Sequence, residues 1–509
     1  MKDERAPNGL SPQATALGVL ALTLLATLLR LYRLADPSLL ADELFQVRSA
    51  LSFGDLMLTK WLGYLPTLVG LQLTGVDLAG LEPEAYAQFA RHGMNEWNMR
   101  VGTTVVGIAT VPLLAWASLD FLGRRGALLL ALLLAVVPWH VEWSQHARFY
   151  TPTFLAFNLA VALYLSGTLR GSPRRVAAAM VCTVLAVMCT PTSMMLFGLF
   201  ALDGAWSWLR ERCLPVDRTG LALVAGTGLL CLALFAWDAT RSSDNLSGFL
   251  ERQAGLAPQR VALENVYRSG LGLVIVASFS VLALWRQQPR TIGALTLAAG
   301  IPLLAFTALA PFSHVEDRYT FVNLYGWTAL AAAGLSAIWT RLRTSGSLAL
   351  AAAPVAALVG VMLLENLAYY QSAYGKRARF KHAFGFVGSH RSPDEPLYTL
   401  NVWGGRFYLA DPDVKSVFED FPGFEALASE GRSAWFVVKS TGEEMGRGRP
   451  VWLDGHADLL AVYPTRFHHP QTTLRVYRFQ PDLSTGLPTG HPTVHPASPS
   501  AAGAGGDAG

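Results

Sequence analysis

Hydrophobic residues fall in blocks of membrane length separated by short polar interruptions, a spacing that predicts a helical protein crossing a bilayer many times. The stretch 14–33 is long enough for a hydrocarbon core of about 30 Å. Ten more segments follow at 101–119, 126–139, 152–168, 176–190, 193–209, 219–237, 270–285, 291–310, 319–339 and 347–367. With the first, this makes about eleven expected spans, several shorter than the roughly 20 residues a straight span takes. Residues 34–100 interrupt the pattern with Lys60, Asp77, Glu82, Glu84, Arg91 and Glu96, so a large non-membrane loop is expected there, with Phe53 to Gly75 lying along the interface. No small-residue cleavage site precedes Asp42, and the first span reads as a retained signal anchor.

After Tyr370 the pattern changes. Strand-like runs at Pro396–Trp403, Ala434–Ser440, Asp458–Tyr463 and Thr473–Phe479, with a helical piece at Gly423–Gly431, predict a small mixed α/β domain. The expected division is 1–374 for the multi-span domain, 375–481 for this small domain and 482–509 for a Pro-, Gly-, Ser-, Thr- and Ala-rich tail too poor in apolar bulk to fold. His491 and His495 in that tail are too isolated to suggest a metal site.

Positive charge orients the spans. Arg124 and Arg125; Arg170, Arg174 and Arg175; Arg210, Arg212 and Arg218; Arg286 and Arg290; and Arg341 and Arg343 join the side of Lys2 and Arg5, which is then cytoplasmic. The opposite loops hold Asp42, Glu43, Glu142, Asp238, Asp244, Glu316 and Asp317. These carboxylates are therefore expected outside. Arginines at both ends of 176–209 split it into two short spans hinged near Pro191. Trp139, Trp143 and Trp237 would belt the outer surface, and Trp206, Trp208, Trp285 and Trp339 the inner one.

Composition agrees with a membrane protein: 52% of residues are hydrophobic and 15% charged. The net charge of +4 is small and dispersed, which excludes nucleic acid as the main partner. Cys182, Cys189, Cys213 and Cys231 fall in or beside apolar segments and imply neither a disulfide framework nor a zinc site.

Three stretches carry candidate chemistry. In RLADPSLLADELFQVRSA, Arg33 to Ala50, Pro37 stops any helix leaving the membrane and a short amphipathic helix follows. Leu40, Leu44, Val47 and Leu51 share one face; Asp42, Gln46 and Ser49 share another. A helix starting near Leu40 puts Asp42 and Glu43 in its first turn, where the dipole favours their ionised forms. The alternative is a pair of helix-start acids on a solvated face. In PWHVEWSQHARFYT, Arg148 is the leading phosphate ligand because a guanidinium holds phosphate through paired hydrogen bonds. His140, Glu142, His146 and Tyr150 beside it are candidate substrate contacts, while snorkelling to the headgroups is the alternative for Arg148. In SHVEDRYTFVN, Arg318 and Tyr319 could add a second cation and a hydroxyl to the same phosphate, or Glu316, Asp317 and Arg318 could form only a surface ion-pair cluster. The His and Glu spacings do not make a convincing metal site.

These stretches together resemble the membrane-embedded GT-C glycosyltransferases, especially bacterial relatives of protein O-mannosyltransferases and lipid A aminoarabinose transferases. The resemblance lies in RLADPSLLADELFQVRSA, in the segment from NMRVGTTVV through WSQHARFYTPTF to AVALYL, and in DRYTFVNLYGWTALAAAGL, within residues 15–340. It implies a polytopic α-helical GT-C-like fold with the N-terminus cytoplasmic, in a bacterial-type inner (plasma) membrane, and a small extracytoplasmic α/β C-terminal domain. It also implies transfer of a sugar from a polyprenyl-phosphate donor to a lipid, glycan or protein acceptor outside the cytoplasm. Asp42 would activate the acceptor with Glu43 in support, and Arg148 would bind the donor phosphate; Arg318 carries over less directly.

Such chemistry needs a base for the acceptor hydroxyl and a cationic site for the departing phosphate. One carboxylate opposite the leaving group predicts inversion at the anomeric carbon. A lipid-activated sugar needs no Gly-rich nucleotide loop, and neither a cofactor nor a divalent cation is expected. A transporter or flippase of lipid-linked sugars would use the same arginines without bond cleavage. It accounts less well for a carboxylate pair at the root of a large outer loop. An inactive scaffold would leave Asp42 and Arg148 dispensable.

Overall fold

The computed structural model describes residues 10–55, 57–241, 257–313, 315–344, 348–371, 378–439, 453–464 and 473–481. In chain order the helices are α1 (Pro12–Leu31), α2 (Ala41–Leu51), α3 (Trp61–Leu73), α4 (Tyr86–Arg91), α5 (Glu96–Ala117), α6 (Leu119–Val136), α7 (Pro138–Ser144), α8 (Tyr150–Arg170), α9 (Pro173–Cys189), α10 (Met195–Glu211), α11 (Arg218–Arg241), α12 (Pro258–Ser269), α13 (Leu271–Leu284), α14 (Pro289–Leu309), α15 (Leu324–Thr344), α16 (Leu348–Gln371), α17 (Phe380–His390), α18 (Val402–Leu409) and α19 (Phe424–Ser429). The strands are β1 (Leu397–Thr399), β2 (Lys415–Ser416), β3 (Ala434–Lys439), β4 (Asp458–Tyr463) and β5 (Leu474–Phe479). Lys2, Arg5, Asp244, Ser440, His491, His495 and the expected tail lie outside the described residues.

Contacts divide the chain into two compact units. One comprises Met1–Leu34, Ser52–Leu73 and Met99–Leu367; the other comprises Ala35–Leu51, Thr74–Asn98 and Ala368–Gly509.

In the first unit a helix occupies each apolar segment, but the segments differ in kind. Among the described residues, seven helices are long and apolar enough to cross a bilayer, or up to nine if the bent pairs α6–α7 and α12–α13 are each one span. The remaining two segments form α9 and α10, 17 residues each. At 1.5 Å per residue each is about 25 Å long. They are separated at a 3-10 turn, Pro191–Met194, where the flanking arginines predict a hinge. Within Phe53–Gly75 the one α-helix, α3, has 13 residues. At about 20 Å it is too short to span a bilayer core.

The α6–α7 bend of 60° has a local cause. Pro138 has no N–H to give the carbonyl four residues earlier, that of Leu134. Arg30 of α1, fully buried, takes over: its Nη2 donates to Leu134 O at 2.9 Å and its Nη1 to Ala135 O at 3.0 Å. The bend tucks α7 into the core, so Trp139 and Trp143, expected in an outer belt, are only 2% and 8% exposed. Trp139 packs edge-on to Phe321, and Trp143 packs on His146 and Tyr150. Trp206, Trp208 and Trp237 are exposed as a belt requires. Elsewhere α8 packs on α9, and α15 on α6, α13 and α14. The α14–α15 approach depends on Gly326, whose absent Cβ would overlap the Ala299 backbone.

The second unit is built on a five-stranded sheet ordered β2-β1-β3-β5-β4. β1 runs parallel to β2 and β3, whereas β5 is antiparallel to β3 and β4. Alternation along β3 fills two cores: Trp435 and Val437 join Phe384 and Val387 of α17, while Phe436 and Val438 join Tyr398, Phe424 and Phe479. The run Pro396–Trp403, expected as one strand, is strand only over Leu397–Thr399. Asn401 ends it by accepting a hydrogen bond from Gly404 N at 3.0 Å, which caps α18.

Candidate active site

The segment Gln145–Phe149 joins α7 to α8 and carries the HAR sequence. It has little internal hydrogen bonding, so neighbouring side chains take up its exposed backbone groups. Thr103 Oγ1 donates to His146 O at 2.8 Å, Thr104 Oγ1 to Ser144 O at 2.9 Å and Thr151 Oγ1 to Trp143 O at 2.9 Å. Gln145 Nε2 reaches back to Arg30 O and Tyr32 O, both at 2.9 Å. The backbone before Arg148 is thus fixed from three helices. None of these four side chains stood out in the sequence, because a threonine facing a neighbouring helix and one bonded to its own turn look the same there.

Arg148 opens onto a cavity of about 610 Å³ within the first unit, together with Tyr150, Arg318, Tyr319, Lys60 and Asp238. Two cations approach the Tyr150 ring: the Arg148 guanidinium carbon is 5.5 Å from its centroid and that of Arg318 is 6.0 Å away. Arg318 is also held by Glu316, with Nε to Oε2 at 2.7 Å and Nη2 to Oε1 at 2.8 Å. Asp238, 4% exposed, accepts hydrogen bonds from Leu58 N at 3.0 Å and Thr59 N at 2.7 Å. Lys60, Arg148 and Arg318 therefore face one cavity carboxylate, already satisfied by backbone, and the remaining wall is dominated by apolar side chains such as Phe157, Phe306 and Phe321. Residue type and setting single out Arg148, Tyr150, Arg318 and Tyr319 in the sequence, whereas Lys60, which arrives from the first loop, carries no such signal there.

His140, Glu142 and His146 belong to the same unit but do not line the cavity. His140 is fully buried, with Nδ1 2.7 Å from Arg30 Nη2. An arginine can only donate, so Nδ1 accepts and the ring proton sits on Nε2. His146 is 3% exposed beneath Trp143. Glu142 Oε2 pairs with Arg268 Nη1 at 3.1 Å, and Asp317 Oδ2 pairs with Arg268 Nε at 2.9 Å, so one arginine links α7, α12 and the turn leading to α15.

Asp42 and Glu43 lie in the second unit, in the first turn of α2. Glu43 is fully buried, and its Oε2 accepts from Leu40 N at 3.0 Å, which is the N3-to-N-cap half of a capping box. Asp42, one residue earlier, is half-buried. The helix begins at Ala41, and its buried face is Glu43, Leu44, Gln46, Val47 and Ala50. Gln46 therefore lies inside and not on a polar face with Asp42. Among the described residues, no group of three or more His, Cys, Asp or Glu is placed to hold a metal ion.

Helices long and apolar enough to cross a bilayer make the chain an integral membrane protein, and its polytopic bundle with a small sheet unit is a fold it shares with solved structures. Its likeness to particular structures spans nearly the whole chain. ArnT from Cupriavidus metallidurans in the apo state matches with a TM-score of 0.56 at 14% identity over 92% of this chain and 99% of that one. The same protein bound to undecaprenyl phosphate matches with 0.52 at 13% identity over 92% and 98%. The archaeal oligosaccharyltransferase AglB from Archaeoglobus fulgidus, in complex with an inhibitory peptide and a dolichol-phosphate, matches with 0.51 at 11% identity over 91% and 74%. No protein-family model and no curated protein sequence matches the chain. At these identities the likeness is one of fold.

Proposed function

We propose that the protein is a glycosyltransferase that moves a sugar from a polyprenyl-phosphate donor to an acceptor hydroxyl on the extracytoplasmic side of the membrane. The observation that carries this reading is the convergence of Arg148 and Arg318 on Tyr150 at the wall of a largely apolar cavity. Such a cavity suits a lipid phosphate: guanidiniums bind the charge, and apolar walls accept the chain. ArnT bound to undecaprenyl phosphate and AglB bound to dolichol-phosphate have the same fold, which supports a donor of that class.

In this mechanism Arg148 and Arg318 stabilise the departing phosphate while Tyr319 supplies a hydroxyl to it, and Lys60 adds positive charge to the same wall. Asp42, at the start of α2, removes the acceptor proton. The acceptor oxygen attacks the anomeric carbon opposite the phosphate, so the bond to phosphate breaks with inversion. Glu43 holds the N-terminus of α2.

The test is sugar release from a panel of radiolabelled polyprenyl-phosphate sugars by the purified protein in lipid, beside Asp42→Asn. Transfer or slow donor hydrolysis, reduced by about 100-fold or more in the mutant, is expected, the scale of a lost general base. Full activity of Asp42→Asn would sink the assignment. Vectorial movement of the lipid without turnover of any donor would replace the enzyme by a transporter. Activity is expected to survive EDTA, since the three cavity cations supply the charge a metal would bring; loss of turnover that Mg²⁺ or Mn²⁺ restores would overturn that expectation.

A further inference from the structure

Within the second unit, the residues just before Asp42 are held by groups that lie more than three hundred positions later in the chain. Tyr408 Oη of α18 accepts from Leu39 N at 2.7 Å and donates to Glu96 Oε1 at 3.2 Å. Lys381 Nζ reaches the same Glu96 oxygen at 3.1 Å, and its backbone N–H donates to Ser38 Oγ at 3.0 Å. Phe45 of α2 meets Trp403 of α18 edge-on, with centroids 4.6 Å apart. Ser38, Leu39 and Glu96 are 5%, 0% and 5% exposed, so these bonds are made away from water.

Together with the Glu43 bond to Leu40 N, these contacts occupy three successive groups, Ser38 Oγ, Leu39 N and Leu40 N, that lead directly into the first turn of α2. The direction of a helix follows from its first residues, so fixing them fixes where Asp42 points. Tyr408 bridges Leu39 N and Glu96 Oε1 through its hydroxyl. Its ring packs on Phe384 and Phe407, which phenylalanine would satisfy equally. The hydroxyl is accounted for by the α2 approach.

We infer that Tyr408, with Lys381 and Glu96, is the positioning device for Asp42, and that the C-terminal sheet unit acts in the reaction by setting the aim of the base. The inference rests on the glycosyltransferase reading. It names a task for the C-terminal unit that requires no contact with either substrate. A positioning contact acts only on the step Asp42 performs, so turnover falls while donor affinity stays.

The experiment compares Tyr408→Phe, Ser38→Ala and Asp42→Asn in the full chain, measuring kcat, donor dissociation constant and melting temperature. Tyr408→Phe is expected to lower kcat about 10-fold, the scale of one lost hydrogen bond, with donor affinity unchanged. Ser38→Ala, which removes the acceptor for Lys381 N–H, is expected to lower kcat in the same way and provides the result if Tyr408→Phe misfolds. Wild-type kcat in whichever of the two variants folds would overturn the positioning role, as would a loss confined to donor affinity. If Asp42→Asn itself keeps full activity, the base assignment fails instead, so the two failures are distinguishable.

Discussion

Glu395 shows how one buried charge sets a pH limit on the sheet unit. Burial alone would raise its carboxyl. Hydrogen bonds from Arg478 Nη2 at 2.6 Å, Trp435 Nε1 at 2.6 Å and Ser392 N at 3.2 Å outweigh this and hold it below the usual carboxylate range. A folded-state value below the unfolded one means the stabilisation is complete above about pH 4.3 and is lost as pH falls through the folded value. Glu395→Gln is expected to cost about 2 kcal/mol at neutral pH. Denaturant melts from pH 7 to pH 3 should show the gap to wild type closing; a gap constant with pH would refute the assignment. For Arg148, loss of a charge-assisted bond to phosphate predicts a 10- to 100-fold weaker donor affinity in Arg148→Ala. Arg148→Lys should restore it only partly, because an ammonium lacks the paired donors. Unchanged donor affinity in Arg148→Ala would reject the phosphate role.

At the scale of elements, hydropathy was enough to find the helices, because a residue's preference for lipid does not depend on its neighbours. It was not enough to separate unbroken helices from bent ones. The 60° turn at Pro138 is stabilised by Arg30 more than a hundred residues earlier, and a lone arginine near the end of an apolar stretch reads equally as an interfacial anchor. The cavity wall was legible in the same uneven way. Arg148 and Arg318 could be picked out by residue type and setting, whereas Thr103, Thr104 and Gln145 acquire their roles only once α5, α7 and α1 are packed together. Helix packing also supplies a test independent of catalysis. A side chain at Gly326 must displace the Ala299 backbone. Gly326→Leu is therefore expected to destabilise the membrane unit by about 1–3 kcal/mol through overpacking, read as lower thermal stability in detergent. Gly198, whose Cβ would meet nothing within 4 Å, is the control, and Gly198→Ala should leave that stability unchanged.

For the whole molecule, the unit that carries Asp42 is assembled from three separate pieces of chain, 35–51, 74–98 and 368–509. No pattern along the chain marks this joining. Tyr408 lies beyond the strand-like run Pro396–Trp403, in a stretch with no predicted element, and Glu96 reads as one more acid in a polar loop. The order of the sheet adds a consequence in time. β5, made last, lies between β3 and β4 and pairs with both. A chain emerging from its N-terminus therefore displays Asp42 early and receives Lys381, Trp403 and Tyr408 late, with the sheet that carries them closing only when β5 arrives. Until then the first turn of α2 lacks the late contacts that hold Ser38 and Leu39, so the direction of Asp42 is set only after the sheet has assembled.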